Sequence, residues 1–406
     1  MSGNTFLSPT AIAREILRIL HGNLTFTKNV NRQYDSQFAN SGATMSGKIG
    51  PSLTVKYPNR YTVRTGAPLS LQDTVESSTT VSCSTQKGVD MYFTSSDLTL
   101  TIDDFSGRYL KPAGLLLAST IDSDGLALYS DVYQTVGETG ANTTGQLPAS
   151  ALVALKAKQK LAEANCPQDG MNTIILNPAS EASMVNALTG FFNPQVKISE
   201  QYTKGMMSKD TLGFDWYMDQ NVQNQTYGTR TSGMTINGLP ADGATQITLA
   251  TAGSTTYNKG DVFTIANTYS VNPETKQSTG SLQQFVVTQT ITSTAAATLS
   301  ISPTIQQSGA TQNMTGITNG AALTFMGTAS AVACQNLAYH KDAFTFVSAD
   351  LVLPKGIDFA AREVFDGVSV RIVRAYDINN DRFPCRIDVL YGWKTLYPQL
   401  ACRISG

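Results

Sequence analysis

The sequence has 406 residues, a formal net charge of −1 and 15% charged residues, against roughly 25% in typical soluble proteins. With 41% hydrophobic residues and so little net charge, extended disorder and a strongly basic nucleic-acid binder are both excluded. The length favours two or three compact domains, and no apolar stretch approaches the roughly 18 residues that a membrane span needs.

The first predicted element is an amphipathic helix near the N-terminus. Pro9 suits the first helical position, Ile12 and Ile16 recur at helical spacing, and Gly22 offers a left-handed stop. Residues 1–64 contain eight basic and two acidic residues, 8 − 2 = +6. This excess is interpreted either as a solvated face or as a surface for an acidic partner or for nucleic-acid phosphates.

The next segment predicts a long two-stranded excursion. Hydrophobic residues alternate over residues 53–57, continue at Tyr61 and Val63 after a Pro58-Asn59 turn signal, and alternate again over residues 81–93, as they do in strands. The polar stretch between them, residues 65–80, is interpreted as the tip of this excursion.

A long helix is predicted after it. The apolar period is helical from Lys111 to Val136, with Pro112 near its start and Gly137 near its end. At about 1.5 Å per residue, such a helix is a rod of roughly 39 Å. That length is large for a globular domain.

Shorter elements follow in alternation. A second helix is predicted over residues 149–164 and a short apolar strand over residues 173–176. A third helix is predicted to open at Asn177-Pro178, run through Leu188 and close at Gly190. This order is typical of a mixed α/β unit.

Composition then changes sharply. Residues 231–330 contain 32 Ser or Thr and only five charged residues. Short β-branched runs separated by Gly, Asn or Pro predict a small all-β module, because flexible linkers lack such runs. Two later alternating segments, residues 368–372 and 385–391, predict a hairpin near the end of the chain. The β-module is therefore interpreted as an insertion into a domain that resumes after it.

Two local motifs are rejected. Residues 42–48 match GxxxxGK, but Ile49 stands where a phosphate loop needs Ser or Thr, and Gly50-Pro51 prevents a following helix. The acidic residues of 377–388 mimic a calcium loop, but Arg382 occupies the position that requires glycine. We therefore expect a hairpin turn there.

Catalytic and redox signatures are not found in the sequence. The two histidines, His21 and His340, have no GxSxG, HExxH or GxGxxG motif beside them. The five cysteines are widely spaced without a CxxC pair, which favours reduced, buried thiols in a protein made in the cytosol. We therefore expect no enzyme, no cofactor and no metal site.

The order of these parts resembles the major capsid (coat) protein of tailed bacteriophages. It is most similar to the short-tailed-phage branch whose coat protein carries an inserted β-barrel domain. Four stretches carry the resemblance, namely Asn172–Pro178, Lys259–Asp261, Gln335–Phe346 and Cys385–Gly392. The resemblance implies an α+β fold shared with herpesvirus shells and a role as the repeated subunit of an icosahedral head.

The same resemblance implies a domain order. It places an N-terminal arm at 1–40, an extended loop (about 50–80) and a peripheral domain with a spine helix within 41–137, an axial domain at 138–231, an inserted β-barrel at 232–328, and the return to the axial and peripheral domains at 329–406.

Partners follow from the resemblance as well. It implies pentamers and hexamers of this chain, a scaffolding protein, a portal and packaged double-stranded DNA bound non-specifically, with assembly in the host cytoplasm and no membrane. The candidate contacts between subunits are Ile12, Ile16, Arg60, Arg64, Asp73 and Glu76.

Some alternatives stay open at this point. The loop Asn237–Ala244 is short where the family has a long loop that reaches a neighbouring capsomer, so a decoration protein or other contacts are alternatives to that contact. Lys48 and Lys56 give no support for autocatalytic cross-linking. A tail or fibre component, or a secreted β-rich adhesin or hydrolase, are the alternative functions.

Overall fold

The computed structural model describes residues 9–34, 50–69, 71–74, 76–94, 109–137, 146–188, 211–230, 233–250, 255–293, 296–357 and 359–405. Within these residues the helices are α1 (Pro9–Asn23), α2 (Lys111–Leu126), α3 (Ala151–Glu163) and α4 (Pro178–Leu188). The GxxxxGK match at residues 42–48, rejected above as a phosphate loop, lies outside the described residues.

The strands are given in chain order. Before the β-module they are β1 (Ser52–Lys56), β2 (Ser78–Ser82), β3 (Thr85–Thr94), β4 (Thr135–Val136), β5 (Asn172–Leu176), β6 (Asp215–Met218) and β7 (Asn224–Thr226). The strands of the module are β8 (Ala244–Thr248), β9 (Thr255–Tyr257), β10 (Val262–Val271), β11 (Ser278–Val287), β12 (Ile291–Ser293), β13 (Thr298–Ile305), β14 (Met314–Thr315) and β15 (Leu323–Phe325). After it come β16 (Val332–Cys334), β17 (Asn336–His340), β18 (Phe344–Ala349), β19 (Phe359–Phe365), β20 (Val368–Arg374), β21 (Arg382–Thr395) and β22 (Ala401–Ile404).

The chain divides into two compact units. Unit 1 comprises Met1–Lys56, Ser78–Gly125 and Phe344–Lys394, and unit 2 comprises Tyr57–Ser77, Leu126–Ala343 and Thr395–Gly406.

Unit 1 is built on a sheet of order β18-β21-β20-β19, with β3 paired to β21. Helix α1 packs on β19 and β20 and buries Ile16 and Leu20 completely. The predicted helix is confirmed, but its apolar face belongs to the core of its own unit rather than to a free arm. The late hairpin is also confirmed, since β20 and β21 pair antiparallel around the polar turn.

A buried carboxylate fixes the segment that follows α1. Asp122 of α2 accepts hydrogen bonds from the backbone N–H groups of Thr25, Phe26 and Thr27 at 2.6, 3.2 and 3.0 Å, and from the Thr27 hydroxyl at 2.5 Å. Charge-assisted bonds of this kind are stronger than neutral ones. One side chain of α2 therefore anchors the chain after the first helix.

Helix α2 is shorter than predicted. It ends at Leu126, a 3-10 turn covers Ala127–Asp131, and the chain is extended from Val132 so that β4 can pair in parallel with β22. Sixteen residues make about 24 Å of helix. The prediction of a helix to Val136 is wrong, because the apolar residues near its end serve a sheet.

The predicted alternation at Tyr61 and Val63, beyond the Pro58-Asn59 turn signal, forms no strand. β1 ends at Lys56, and no strand is assigned to the described residues between β1 and β2. Pro58 cannot donate to a ladder, and residues 57–63 have no partner strand. The tip of the excursion is therefore residues 57–77, which we call the loop tip.

Unit 2 contains a mixed sheet of order β4-β22-β17-β5-β6. Helices α3 and α4 cover it, and their core includes Val153, Leu161, Ile174, Met184 and Trp216. Ser150 caps α3 by accepting from the N–H of Leu152. The predicted helix, strand, helix order is confirmed to within two residues at each end that the structure describes.

The β-module closes on itself around a single core. Its main sheet runs β14-β10-β11-β13-β8, with β15 also paired to β10. The segment 234–237 connects the two edges of this sheet, since Asn237 N donates to the carbonyl oxygen of Thr248, the last residue of β8, and Leu323 N of β15 donates to Met234 O, both at 2.8 Å. The predicted strands around Ile247, Val262–Ile265, Phe285–Val287 and Leu299–Ile301 are confirmed.

Candidate functional site

The loop tip exposes large apolar side chains. Val63 is 96% exposed and Leu71 is 86% exposed, with Leu69 and Tyr61 exposed beside them in sequence. Scattered exposed hydrophobic residues are ordinary, but a run of them on a segment without a core indicates a surface that another molecule covers.

Internal hydrogen bonds give the loop tip a defined shape. The Gln72 carboxamide accepts from Thr62 N at 2.8 Å and donates to Thr62 O at 2.6 Å. Arg64 donates to the carbonyl oxygens of Gly66 and Pro68. The exposed apolar side chains are therefore displayed by a segment that holds itself together.

The structure separates the six predicted contact residues into two groups. Ile12 and Ile16 are buried within unit 1. The other four lie on the loop tip and are exposed, namely Arg60, Arg64, Asp73 and Glu76. Ile12 and Ile16 thus pack within the fold of this chain, while the four loop residues lie at its surface.

Three of the eight basic residues in the first 64 lie beside acidic residues within unit 1. Arg14 lies 3.4 Å from Glu363, Arg18 pairs with Glu15 at 2.7 Å, and Arg32 pairs with Asp366 at 2.9 Å. The interpretation of this charge as a surface for an acidic partner therefore loses these three residues. Arg60 makes no ion pair or hydrogen bond with the described residues.

Arg403 of β22 lies where the β-module contacts the mixed sheet of unit 2, and we call this contact the module interface. Its buried guanidinium donates from Nε and Nη2 to Val132 O at 2.8 and 2.6 Å, and from Nη1 to Gly260 O at 2.7 Å. Burial lowers the pKa of Arg403, with Tyr227 and Tyr129 opposing that shift. One side chain of the last strand therefore joins the host sheet to a turn of the module.

A glutamine of the module also pairs with the host backbone. Gln284 on β11 accepts from Thr135 N at 2.8 Å and donates to Thr135 O at 2.9 Å. The carboxamide thus satisfies both backbone groups of Thr135 as a strand would. Tyr133, Val262 and Val286 form a small apolar cluster that the structure places at the same seam.

A buried ion pair lies beside the connections of the module. Asp261 Oδ1 is 3.7 Å from Arg230 Nη1, and its carboxylate accepts from the N–H groups of Gly228 and Asn258 at 3.2 and 3.1 Å. The Arg230 guanidinium also lies over the rings of Tyr227 and Phe325. Burial raises the pKa of Asp261, although Arg230 opposes this shift.

The chain enters and leaves the module side by side. β7 pairs antiparallel with β16, with Thr226 opposite Val332 and Asn224 opposite Cys334. Neighbouring entry and exit points are what an inserted domain requires. The module interface was not predicted from the sequence. The scarcity of charged residues in the module was nevertheless a signal that Asp261 has a specific partner.

The described residues contain no group of three or more His, Cys, Asp or Glu side chains placed to hold a metal ion. The five cysteines are buried and free, and burial raises the pKa of Cys166 and Cys402 to about 12. These two thiols are therefore protonated at neutral pH and poor nucleophiles. Among the helices that the structure describes, none is long and apolar enough to cross a membrane.

Comparison with known proteins gives a family for the chain. The family described as "P22 coat protein - gene protein 5" matches residues 4–406. Comparison with curated protein sequences found no match.

Solved structures were also compared. The chain is similar to a structure of Mycobacterium phage Che8, with a TM-score of 0.48, 11% identity and coverage of 94% of this chain and 90% of that one. It is similar to the capsid of Ralstonia phage GP4, with a TM-score of 0.47, 8% identity and coverage of 94% and 91%. For the capsid of Cyanophage P-SCSP1u the TM-score is 0.45, the identity 10% and the coverage 87% and 83%.

Proposed function

Because the chain belongs to the P22 coat protein family, it is a major capsid protein that forms the icosahedral head of a bacteriophage, and we propose that its loop tip joins one copy to the next. The fold is that of tailed-phage capsid proteins, and the role is structural. The protein therefore acts as a multimer in the virion capsid.

The exposed apolar side chains of the loop tip carry this proposal. Val63 and Leu71 project from a segment that has internal hydrogen bonds but no hydrophobic core. Full burial of such a side chain contributes roughly 1.5–3 kcal/mol. A shell repeats each contact many times, so a contribution of this size at every loop stabilises the whole particle.

The charged residues of the loop tip would set the register of this contact. Arg60, Arg64, Asp73 and Glu76 are exposed and carry both signs. Charges at the rim of an interface mainly steer association and select the correct partner. We assign this role to the four residues and the affinity to the apolar side chains.

The remaining partners are part of the same proposal. A scaffolding protein, a portal and packaged double-stranded DNA bound without sequence preference complete the particle, which assembles in the host cytoplasm. The loop Asn237–Ala244 is bound to its own module, with Gly238 N donating to Asn319 Oδ1 at 2.8 Å and Gly243 N to Ile305 O at 2.7 Å. This supports the view that contacts other than this loop hold capsomers together.

The experiment compares wild type with the double variant Val63→Ser and Leu71→Ser, each coexpressed with the scaffolding protein. Electron microscopy counts shells, and sedimentation measures the unassembled fraction. We expect a soluble, folded variant that forms few shells. Wild-type shell yield from the double variant would exclude the loop tip as the main contact, and the matched variant Leu239→Ser, in the module, controls for loss of an exposed apolar side chain.

A further inference from the structure

The sequence contains two Asn-Gly steps, Asn237-Gly238 and Asn319-Gly320, and the fold places them side by side on the β-module. The backbone N–H of Gly238 donates to Asn319 Oδ1 at 2.8 Å. All four residues are exposed, and a Cβ added at either glycine would meet no atom within 4 Å. Both steps therefore have solvent around them and open space beside the glycine.

An Asn-Gly step is a site of spontaneous deamidation, because the glycine carries no side chain to keep its backbone nitrogen away from the preceding carboxamide. That nitrogen attacks Cγ of the asparagine, an N–Cγ bond forms, and the Cγ–Nδ2 bond breaks. The carboxamide nitrogen leaves as ammonia and takes the proton from the glycine N–H. Water then opens the cyclic imide and leaves an Asp or an isoaspartate. The reaction therefore needs water, a free glycine N–H and a free carboxamide.

Asn319 is restrained at both reacting groups. Gly320 N donates to Ile236 O at 3.0 Å, and Ile236 N donates to Ala321 O at 3.0 Å. The attacking nitrogen thus lies inside a reciprocal pair of backbone hydrogen bonds. The Asn319 carboxamide is also held, since it accepts from Gly238 N. Attack at Asn319 requires the loss of this whole arrangement.

Asn237 is restrained at one reacting group. Its carboxamide makes no hydrogen bond with the residues that the structure describes. The attacking nitrogen, Gly238 N, is held by a single bond to the exposed side chain of Asn319. A single exposed hydrogen bond contributes little net stability and opens readily. Asn237 is therefore the more reactive of the two asparagines.

We propose that Asn237 is a spontaneous deamidation site and that Asn319 slows the reaction by holding Gly238 N. The product adds a carboxylate to the loop Asn237–Ala244, in a part of the chain that has only five charged residues over residues 231–330. The isoaspartate product also lengthens the main chain by one methylene at this point. The inference does not depend on assembly, since every group that it uses belongs to one copy.

The test follows the reaction in the folded, full-length protein at neutral pH in H₂¹⁸O. Hydrolysis of the imide incorporates ¹⁸O, which distinguishes these events from deamidation during later digestion. Mass spectrometry gives the rate at each asparagine, and electron-transfer fragmentation separates Asp from isoaspartate. We expect ¹⁸O at Asn237 well before Asn319. The same chain unfolded in urea should react at similar rates at the two sites, because a β-branched residue, Ile236 or Thr318, precedes each asparagine.

One pair of variants isolates the role of Asn319. Asn319→Ala removes the acceptor of Gly238 N and should raise the rate at Asn237 about fivefold, which is the factor expected for loss of a typical neutral hydrogen bond. Asn319→Asp keeps an oxygen acceptor at the same position and should leave the rate at Asn237 close to that of wild type. Because residue 319 is exposed, both variants should unfold at a temperature close to that of wild type.

Three outcomes would contradict the proposal. Reaction at Asn319 that equals or exceeds reaction at Asn237 in the folded chain would overturn the choice of site. An unchanged rate at Asn237 in Asn319→Ala would overturn the role of Asn319. Incorporation of ¹⁸O in urea but not in the folded chain would show that the fold protects Asn237, and the proposal as a whole would fail.

Discussion

The β-module buries its large apolar side chains, whereas the loop tip exposes them. Phe263 of the module is fully buried and stacks on Phe285 with ring centroids 5.6 Å apart, whereas Val63 of the loop tip is 96% exposed. Both regions are rich in Ser and Thr, so composition does not explain the difference. In the module, paired strands surround a core, whereas the described residues of the loop tip form no strand pair that could bury a side chain. The module thus has a core of its own, whereas the apolar side chains of the loop tip are left at the surface.

The largest test of this comparison is Phe263→Ala. Truncating a fully buried Phe removes packing and leaves a void, which typically costs 3–5 kcal/mol, so we expect about 3–5 kcal/mol of lost stability. The loss is measured as the change in free energy of unfolding, followed by the signals of the module in urea. Leu239→Ala, at a residue that is 62% exposed in the same module, is the control and should change stability by less than about 0.5 kcal/mol. Equal effects of the two variants would contradict a self-contained core.

The next test concerns the module interface rather than the core of the module. Arg403→Met leaves Val132 O and Gly260 O without their donor, and we expect a loss of about 2–3 kcal/mol. Hydrogen exchange of full-length protein should show faster exchange around residues 132–136, while the amides of β10 and β11 stay protected. Loss of protection throughout the module would show that it depends on its host.

The sequence predicted the parts that depend on local patterns. The strands of the module, helices α3 and α4 and the late hairpin follow from period and turn residues. The end of α2 was not predictable, because the residues up to Val136 have helical period yet β4 pairs with β22, which is more than 260 residues away in the chain. Tertiary pairing overrode local propensity there.

The module interface was not predicted because its contacts join parts of the chain that are far apart in sequence. Arg403 lies between Cys402 and Ile404 in a short apolar strand, which signals a buried cation but gives no indication of its partners. Val132 and Gly260 are 271 and 143 positions away.

A third test addresses the loop tip. Val63→Ser with Leu71→Ser should change the free energy of unfolding by less than about 0.5 kcal/mol, since both side chains are exposed. The concentration needed for shell formation should nevertheless rise about tenfold, which corresponds to about 1.4 kcal/mol per subunit. Light scattering across a concentration series measures this threshold. A large loss of monomer stability would show instead that the loop tip belongs to the core of its own chain.

The smallest effect tests whether the few charges of the module have structural roles. Asp242 accepts from Gln307 N at 2.8 Å and from the Ser308 hydroxyl at 2.6 Å, and these two bonds lower its pKa from the ordinary value of 3.8. Because the folded-state pKa is depressed, the stabilisation is fully present above pH 3.8 and is lost as the pH falls through the folded-state value. Wild type should therefore melt slightly above Asp242→Asn at neutral pH, and the two melting temperatures should converge in acid. The difference stays small because the carboxylate is at the surface, where solvent weakens such interactions. A difference that persists unchanged at pH 2 to 3 would mean that the ionised carboxylate is not what holds Gln307 and Ser308.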